Sequence, residues 1–127
     1  MQLLLSNTLE DFRLVNFANT NAHWSKKRNL QVLLYFEWYH PNRIAIKQIE
    51  LPVVVKIIRI SPRPQDFDNY VYNCKCVRDF IADKLIPDKA PGQADSSPLI
   101  EWQYSQHKGA PKEYSLTIQI WKPYVLV

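Results

Sequence analysis

Residues 51–61 are rich in β-branched side chains, and Lys56 and Arg59 are the only charged residues among them. Such side chains pack well on a pleated surface, so this segment predicts a strand that is buried over most of its length. Pro62 and Pro64 follow directly. Because proline fixes φ and lacks an amide donor, we expect the strand to end there.

Two stretches show the three- and four-residue spacing of amphipathic helices. The first covers 26–39, with Ser25 as a candidate N-cap, Pro41 as its stop and an apolar face of Leu30, Leu33, Leu34 and Trp38. A strand through 32–38 is the alternative there, because the segment is rich in aromatic residues. The second helix is predicted over 69–85, with a sheet-facing side of Val71, Cys74, Val77, Phe80, Ile81 and Leu85.

The remaining segments complete an α+β pattern. Residues 1–22 predict a strand followed by a loop, and 87–98 predict a loop with three prolines and one glycine. Residues 99–104 and 114–121 predict two strands of a hairpin. We therefore expect one domain over 1–127, with a mixed sheet of about four strands and two main helices packed against it.

Composition limits the class of protein. With 127 residues, 46% of them hydrophobic, the chain has enough apolar material for a single core. It contains no apolar run long enough for a membrane span, and no basic segment precedes Glu10 and Asp11 as a signal peptide requires. We expect a cytoplasmic protein without a membrane partner. Cys74 and Cys76 stand too close together in sequence for an easy mutual disulfide, so we expect thiols.

Positive charge is concentrated in residues 23–63. This segment holds two acidic side chains and eight basic ones, namely Lys26, Lys27, Arg28, Arg43, Lys47, Lys56, Arg59 and Arg63. Lysine and arginine displace counterions from a nucleic-acid backbone, so such a segment suits contact with phosphates. The same asymmetry also occurs in proteins that bind no nucleic acid.

The acidic residues suggest a metal site. Asp66 and Asp68 lie between the predicted buried strand and the second helix, and in an extended stretch both would project to the same side. Adjacent carboxylates repel unless a proton or cation lies between them, and Mg²⁺ or Mn²⁺ prefers such oxygen ligands. Asn69 could add an amide oxygen. The alternative is that Asp68 or Asn69 simply caps the helix.

Other catalytic schemes find less support in the sequence. There is no glycine-rich phosphate loop and no serine in a nucleophile-elbow pattern, and the three histidines are scattered singly. A third carboxylate would strengthen the metal site, and the loop after the second helix offers Asp88 and Asp95.

These residues resemble a known family. Four features carry the resemblance: the segment Arg63-Pro-Gln-Asp66-Phe-Asp68-Asn69, the helix containing Asp79, the Ala94-Asp95-Ser96 segment and the later Lys108-Gly109. They are similar to RusA-type Holliday junction resolvases, which are small phage-derived endonucleases of DNA recombination and repair. The resemblance implies a homodimeric α+β nuclease that grips branched, four-way junction DNA and hydrolyses it with Mg²⁺ or Mn²⁺. It assigns the catalytic and metal-binding roles to Asp66, Asp68 and Asp95, with Asn69 as support.

The chain departs from the family pattern at two positions. Tyr72 stands where the family often has a lysine, and Lys75, three residues later, is the candidate to support the site in its place. Ala94 stands where the family usually has a second acidic residue. For DNA contacts we expect Lys26, Lys27, Arg28, Arg63 and Lys108.

An alternative function is a catalytically silent nucleic-acid-binding protein of the same fold. In that case Trp24, Trp38 and Trp102 could stack on unpaired bases.

Overall fold

Four strands form one mixed sheet in the order β1-β4-β2-β3. This computed structural model describes residues 1–10, 24–90 and 92–123, with side chains in the first helix described from Arg28 onward. The strands are β1 (Gln2–Glu10), β2 (Val53–Ser61), β3 (Ile100–Lys108) and β4 (Ser115–Lys122). β2 pairs parallel with β3 and antiparallel with β4, and β1 pairs antiparallel with β4. The α+β prediction with a four-stranded mixed sheet is confirmed.

The predicted hairpin between the last two strands is wrong. β3 and β4 lie on opposite sides of β2. The physical reason lies in β2, where Val53, Val54 and Val55 are buried on both faces. Their burial withdraws the backbone of this strand from water, so its N–H and C=O groups are satisfied by neighbouring strands on both sides. The chain from β3 to β4 must then cross the end of β2, and Gly109 makes this close approach. Its N–H donates to the Ser61 carbonyl at 2.8 Å.

One helical stretch precedes β2, made of α1 (Trp24–Leu34), a π-helical turn (Tyr35–Tyr39) and α2 (His40–Lys47). The prediction that Pro41 stops the first helix is wrong, as is the alternative of a strand over 32–38. Pro41 lies in the first turn of α2, directly after the π-helical turn, and the helical backbone continues through it. The predicted apolar face is confirmed for Leu30, Leu34 and Trp38, which are buried.

The second predicted helix is present as two helices, α3 (Phe67–Asn73) and α4 (Lys75–Leu85), which meet at Cys74. They connect β2 to its parallel neighbour β3, as a crossover between parallel strands requires. A short 3₁₀ turn (Ala94–Ser96) interrupts the predicted loop before β3.

The helices pack on one face of the sheet. Their buried side chains include Leu34, Trp38, Val77 and Ile81, and they share a core with strand residues Val53, Val55, Ile57, Leu116, Ile118 and Ile120. The opposite face is polar at its centre, where half-buried Lys56, Thr117 and Gln119 lie. No helix in the described ranges is long and apolar enough to cross a membrane.

Candidate functional site

The acidic motif follows the carboxyl end of β2. That end coincides with the carboxyl end of β3, because Ser61 pairs with Lys108 in the parallel ladder. The exposed side chains of Arg63, Asp66, Asp68 and Lys108 are therefore attached at one edge of the sheet. The structure gathers two predicted phosphate contacts and two predicted carboxylates along this edge.

The linker from β2 to α3 is held by hydrogen bonds to its backbone. The Ser61 hydroxyl donates to the Arg63 carbonyl at 3.1 Å, and the Arg59 guanidinium reaches the same carbonyl at 3.5 Å. Gln106 of β3 binds the peptide groups of Gln65 on both sides. Its Oε1 accepts from the Gln65 N–H at 2.9 Å, and its Nε2 donates to the Gln65 carbonyl at 2.8 Å.

Asp66 occupies the N-cap position of α3, and its carbonyl accepts the helix bond from the Tyr70 N–H at 2.9 Å. Its side chain makes no capping hydrogen bond within the described residues. Because Asp66 occupies the N-cap position and the helix begins at Phe67, the alternative that Asp68 or Asn69 caps the helix is wrong. Asp68 lies in the first turn of α3, so the expected extended alternation of the two carboxylates is also wrong. A carboxylate at this end complements the helix dipole.

A second polar cluster lies where α4 begins. Asp95 accepts a hydrogen bond from Arg78 Nε at 3.2 Å and lies 3.8 Å from Lys75 Nζ. Lys75 also forms an ion pair with Asp79 at 3.3 Å. Arg78 donates in addition to the Tyr104 hydroxyl at 2.7 Å. The predicted support residue Lys75 and the predicted third carboxylate are thus brought together.

The charge balance of this cluster affects Asp79. Burial, followed by the neighbouring charge of Asp95, raises the pKa of the Asp79 carboxyl above its ordinary value, and the nearby Lys75 only partly offsets this. The carboxylates of Asp79 and Asp95 therefore lie close to each other and to the cations of Lys75 and Arg78. Asp95 is paired with both cations.

The two clusters are separate. Among the residues that the structure describes, no three His, Cys, Asp or Glu side chains lie close enough to hold one metal ion. Asp66 follows the carboxyl end of β2, whereas Asp95 precedes the amino end of β3, and in a parallel pair these ends face opposite ways. Asp88, the alternative third carboxylate, is exposed after α4 and joins no such group.

Of the remaining predicted residues, one lies beside the acidic motif, one lies on α1, and two have side chains outside the description. Asn69 is exposed on α3, next to Asp68, and Arg28 is exposed on α1. The side chains of Lys26 and Lys27 fall outside the described residues.

The tryptophan prediction is corrected in part. Trp38 is fully buried and so presents no face to a base. Trp102 is half-buried and its Nε1 donates to the Asp95 carbonyl at 3.0 Å, while the Trp24 side chain lies outside the description. The exposed aromatic residues of α3 are Phe67, 58% exposed, and Tyr72, 46% exposed.

Sequence reasoning missed Arg59 and Gln106. Arg59 is buried, unlike the surface contacts expected of the basic segment, and burial lowers the pKa of its guanidinium. It donates to Gln106 Oε1 at 3.2 Å. The available signal was a polar residue within each of two strands, Arg59 in β2 and Gln106 in β3. These two residues lie opposite each other in the β2–β3 register. That register cannot be read when the last two strands are assumed to form a hairpin.

Comparison of the sequence with protein-family models and with curated proteins finds no match in either. The resemblance to RusA-type resolvases therefore rests on the motif residues alone.

Proposed function

We propose that this chain is a divalent-metal-dependent endodeoxyribonuclease that resolves branched, four-way junction DNA. The observation that carries the proposal is the edge formed by the carboxyl ends of β2 and β3. There, exposed Asp66 and Asp68 follow a linker with a fixed backbone, at the edge that also carries the cationic Arg63 and Lys108. Cations at the same edge as exposed carboxylates suit a phosphodiester held near a metal ion.

The chemistry of the donors fits Mg²⁺ or Mn²⁺. Asp66 and Asp68 offer exposed carboxylate oxygens, and hard cations commonly take one or two protein carboxylates and fill their remaining positions with water and substrate phosphate. The bound ion would lower the pKa of an attacking water and neutralise developing charge on the phosphate. Asp95, the third carboxylate that the resemblance implies, lies in the separate cluster with Arg78 and Lys75, so the proposed metal ion is placed on Asp66 and Asp68.

A specific observation favours a second candidate, the catalytically silent nucleic-acid-binding protein. Asp95 is only 13% exposed and is bound by Arg78 and Lys75, so these two side chains compete with any metal for its oxygens. In this candidate, the exposed rings of Phe67 and Tyr72 on α3 take the place of the buried tryptophan as surfaces for base stacking.

The proposed partners follow from the same argument. A four-way junction has two-fold symmetry, so a homodimer would bring two sites to two strands. We propose that this dimer acts in the cytoplasm on DNA from recombination or repair.

The two candidates separate in a cleavage assay. The purified protein is incubated with a synthetic four-way junction or a matched duplex, in Mg²⁺, Mn²⁺ or chelator, and products are resolved on a denaturing gel. We expect paired, symmetric cuts in the junction alone that disappear in chelator. Junction binding without cutting in either metal would refute the nuclease and favour the silent protein, and binding to neither DNA would refute both.

A further inference from the structure

Gln106 lies on β3, yet its side chain serves the β2–α3 linker. One amide group makes three hydrogen bonds there, two to the backbone of Gln65 and one from Arg59. A side chain that pairs with both the N–H and the C=O of one residue fixes that residue much as a neighbouring strand would.

Gln65 is held at its side chain as well. Asn73, the last residue of α3, donates through Nδ2 to Gln65 Oε1 at 3.2 Å. The residue immediately before Asp66 is therefore tied to β3 through its backbone and to the end of α3 through its side chain. Neighbouring Pro62 and Pro64 further restrict the linker, because each fixes its own φ.

We propose that Gln106 is a positioning residue for the Asp66 and Asp68 carboxylates. Binding the Gln65 peptide sets the position and direction in which the chain enters α3, and both carboxylates stand within three residues of that point. This inference rests on the proposed function, because positioning has a catalytic consequence only where these carboxylates hold a metal ion.

Gln106→Met tests this role. It keeps a similar length and volume and removes all three hydrogen bonds. The matched control is Gln103→Met on the same strand, because Gln103 lies on the other face of the sheet and bonds only weakly to Glu101, at 3.5 Å. Gln106→Glu is a second variant, which keeps oxygen acceptors for Arg59 and the Gln65 N–H and loses the donor to the Gln65 carbonyl. Thermal unfolding identifies the variants that fold.

Three measurements are made on each folded variant: amide hydrogen exchange at Gln65, Mn²⁺-induced NMR broadening of the amides of residues 66–69, and steady-state junction cleavage. For Gln106→Met we expect exchange at Gln65 at least about tenfold faster, since its acceptor is gone. We expect kcat to fall about 10- to 100-fold with KM for the junction nearly unchanged, because small misplacements of catalytic groups have effects of that size. The Mn²⁺ concentration for half-maximal broadening should rise, and Gln106→Glu should change in the same direction.

The outcomes distinguish this inference from the proposed function. A wild-type protein that binds Mn²⁺ at residues 66–69 and cuts junctions, while Gln106→Met matches it in kcat and in Mn²⁺ requirement, would overturn the positioning role alone. A wild-type protein that neither binds Mn²⁺ there nor cuts would overturn the proposed function and the inference resting on it. A fall in junction affinity at constant kcat would also contradict positioning of the carboxylates.

Discussion

Replacing Asp95 with asparagine tests whether the cluster at the start of α4 depends on its charge. Asp95 is 13% exposed and pairs with Arg78, 19% exposed, at 3.2 Å, so both groups are largely withdrawn from water. Asparagine keeps the shape and one oxygen acceptor. The substitution removes the negative charge facing Arg78 and Lys75, and it also removes the repulsion felt by Asp79.

The magnitude follows from these contacts. A hydrogen bond to a charged group contributes about 1.5–3 kcal/mol, and a neutral one about 1 kcal/mol. Arg78 retains its bond to Tyr104, and an asparagine oxygen can still accept from its Nε, so only the charge-assisted part is lost. Relief of the repulsion with Asp79 offsets some of that loss. We therefore expect Asp95→Asn to lower the free energy of unfolding by about 1–2 kcal/mol.

Urea unfolding at neutral pH, followed by circular dichroism, measures this change. Asp88→Asn is the matched control, because Asp88 is exposed in the same connection and should change stability by less than about 0.5 kcal/mol. A double-mutant cycle with Arg78→Met isolates the pair and should give a coupling energy of about 1 kcal/mol or more. An Asp95→Asn variant as stable as wild type, or more stable, would refute the reasoning and show that repulsion between the two carboxylates dominates.

Three further predictions concern other parts of the fold. Gly109→Ala should lower stability by about 1–3 kcal/mol in the same urea assay, because the added Cβ would lie 2.8 Å from Ile60 Cγ2. The pKa of Asp79 is higher in the folded chain than its ordinary value of 3.8, so ionisation of this carboxyl lowers the free energy of unfolding as the pH rises from 3.8 through the folded pKa. Asp79→Asn should therefore gain stability relative to wild type over that pH range. Burial raises the pKa of the Cys74 thiol to about 12, so a thiol reagent at neutral pH should modify Cys76 and leave Cys74 unmodified until unfolding, as mass spectrometry can check.

The elements that were correctly predicted from sequence are those specified by the residue pattern within one segment. The β-branched run of β2 specifies a strand, which is present. The apolar spacing over 69–85 specifies helical structure, which is present as two helices, α3 and α4. The hairpin prediction failed because strand pairing is a property of the whole sheet. Val53, Val54 and Val55 are buried together, which signals a central strand, but that pattern does not name its neighbours.

The candidate site was predictable in its residue types and less so in its geometry. The Asp66 and Asp68 motif stands out because two carboxylates follow a strand and two prolines. The partners that hold it depend on the β2–β3 register, which places Arg59 opposite Gln106. Likewise, the pairing of Asp95 with Lys75 requires the loop to return to α4, and neither loop composition nor spacing specifies that return.

The most direct test of the proposed function compares Asp68→Asn with wild type in both junction cleavage and junction binding, with Glu37→Gln as an exposed control. We expect Asp68→Asn to abolish metal-dependent cutting while binding the junction as tightly as wild type or more tightly, because it removes negative charge beside a phosphate. Glu37→Gln should retain both activities. Undiminished cutting by Asp68→Asn, or parallel loss of binding and cutting in a folded variant, would contradict the assignment of Asp68 to the metal site.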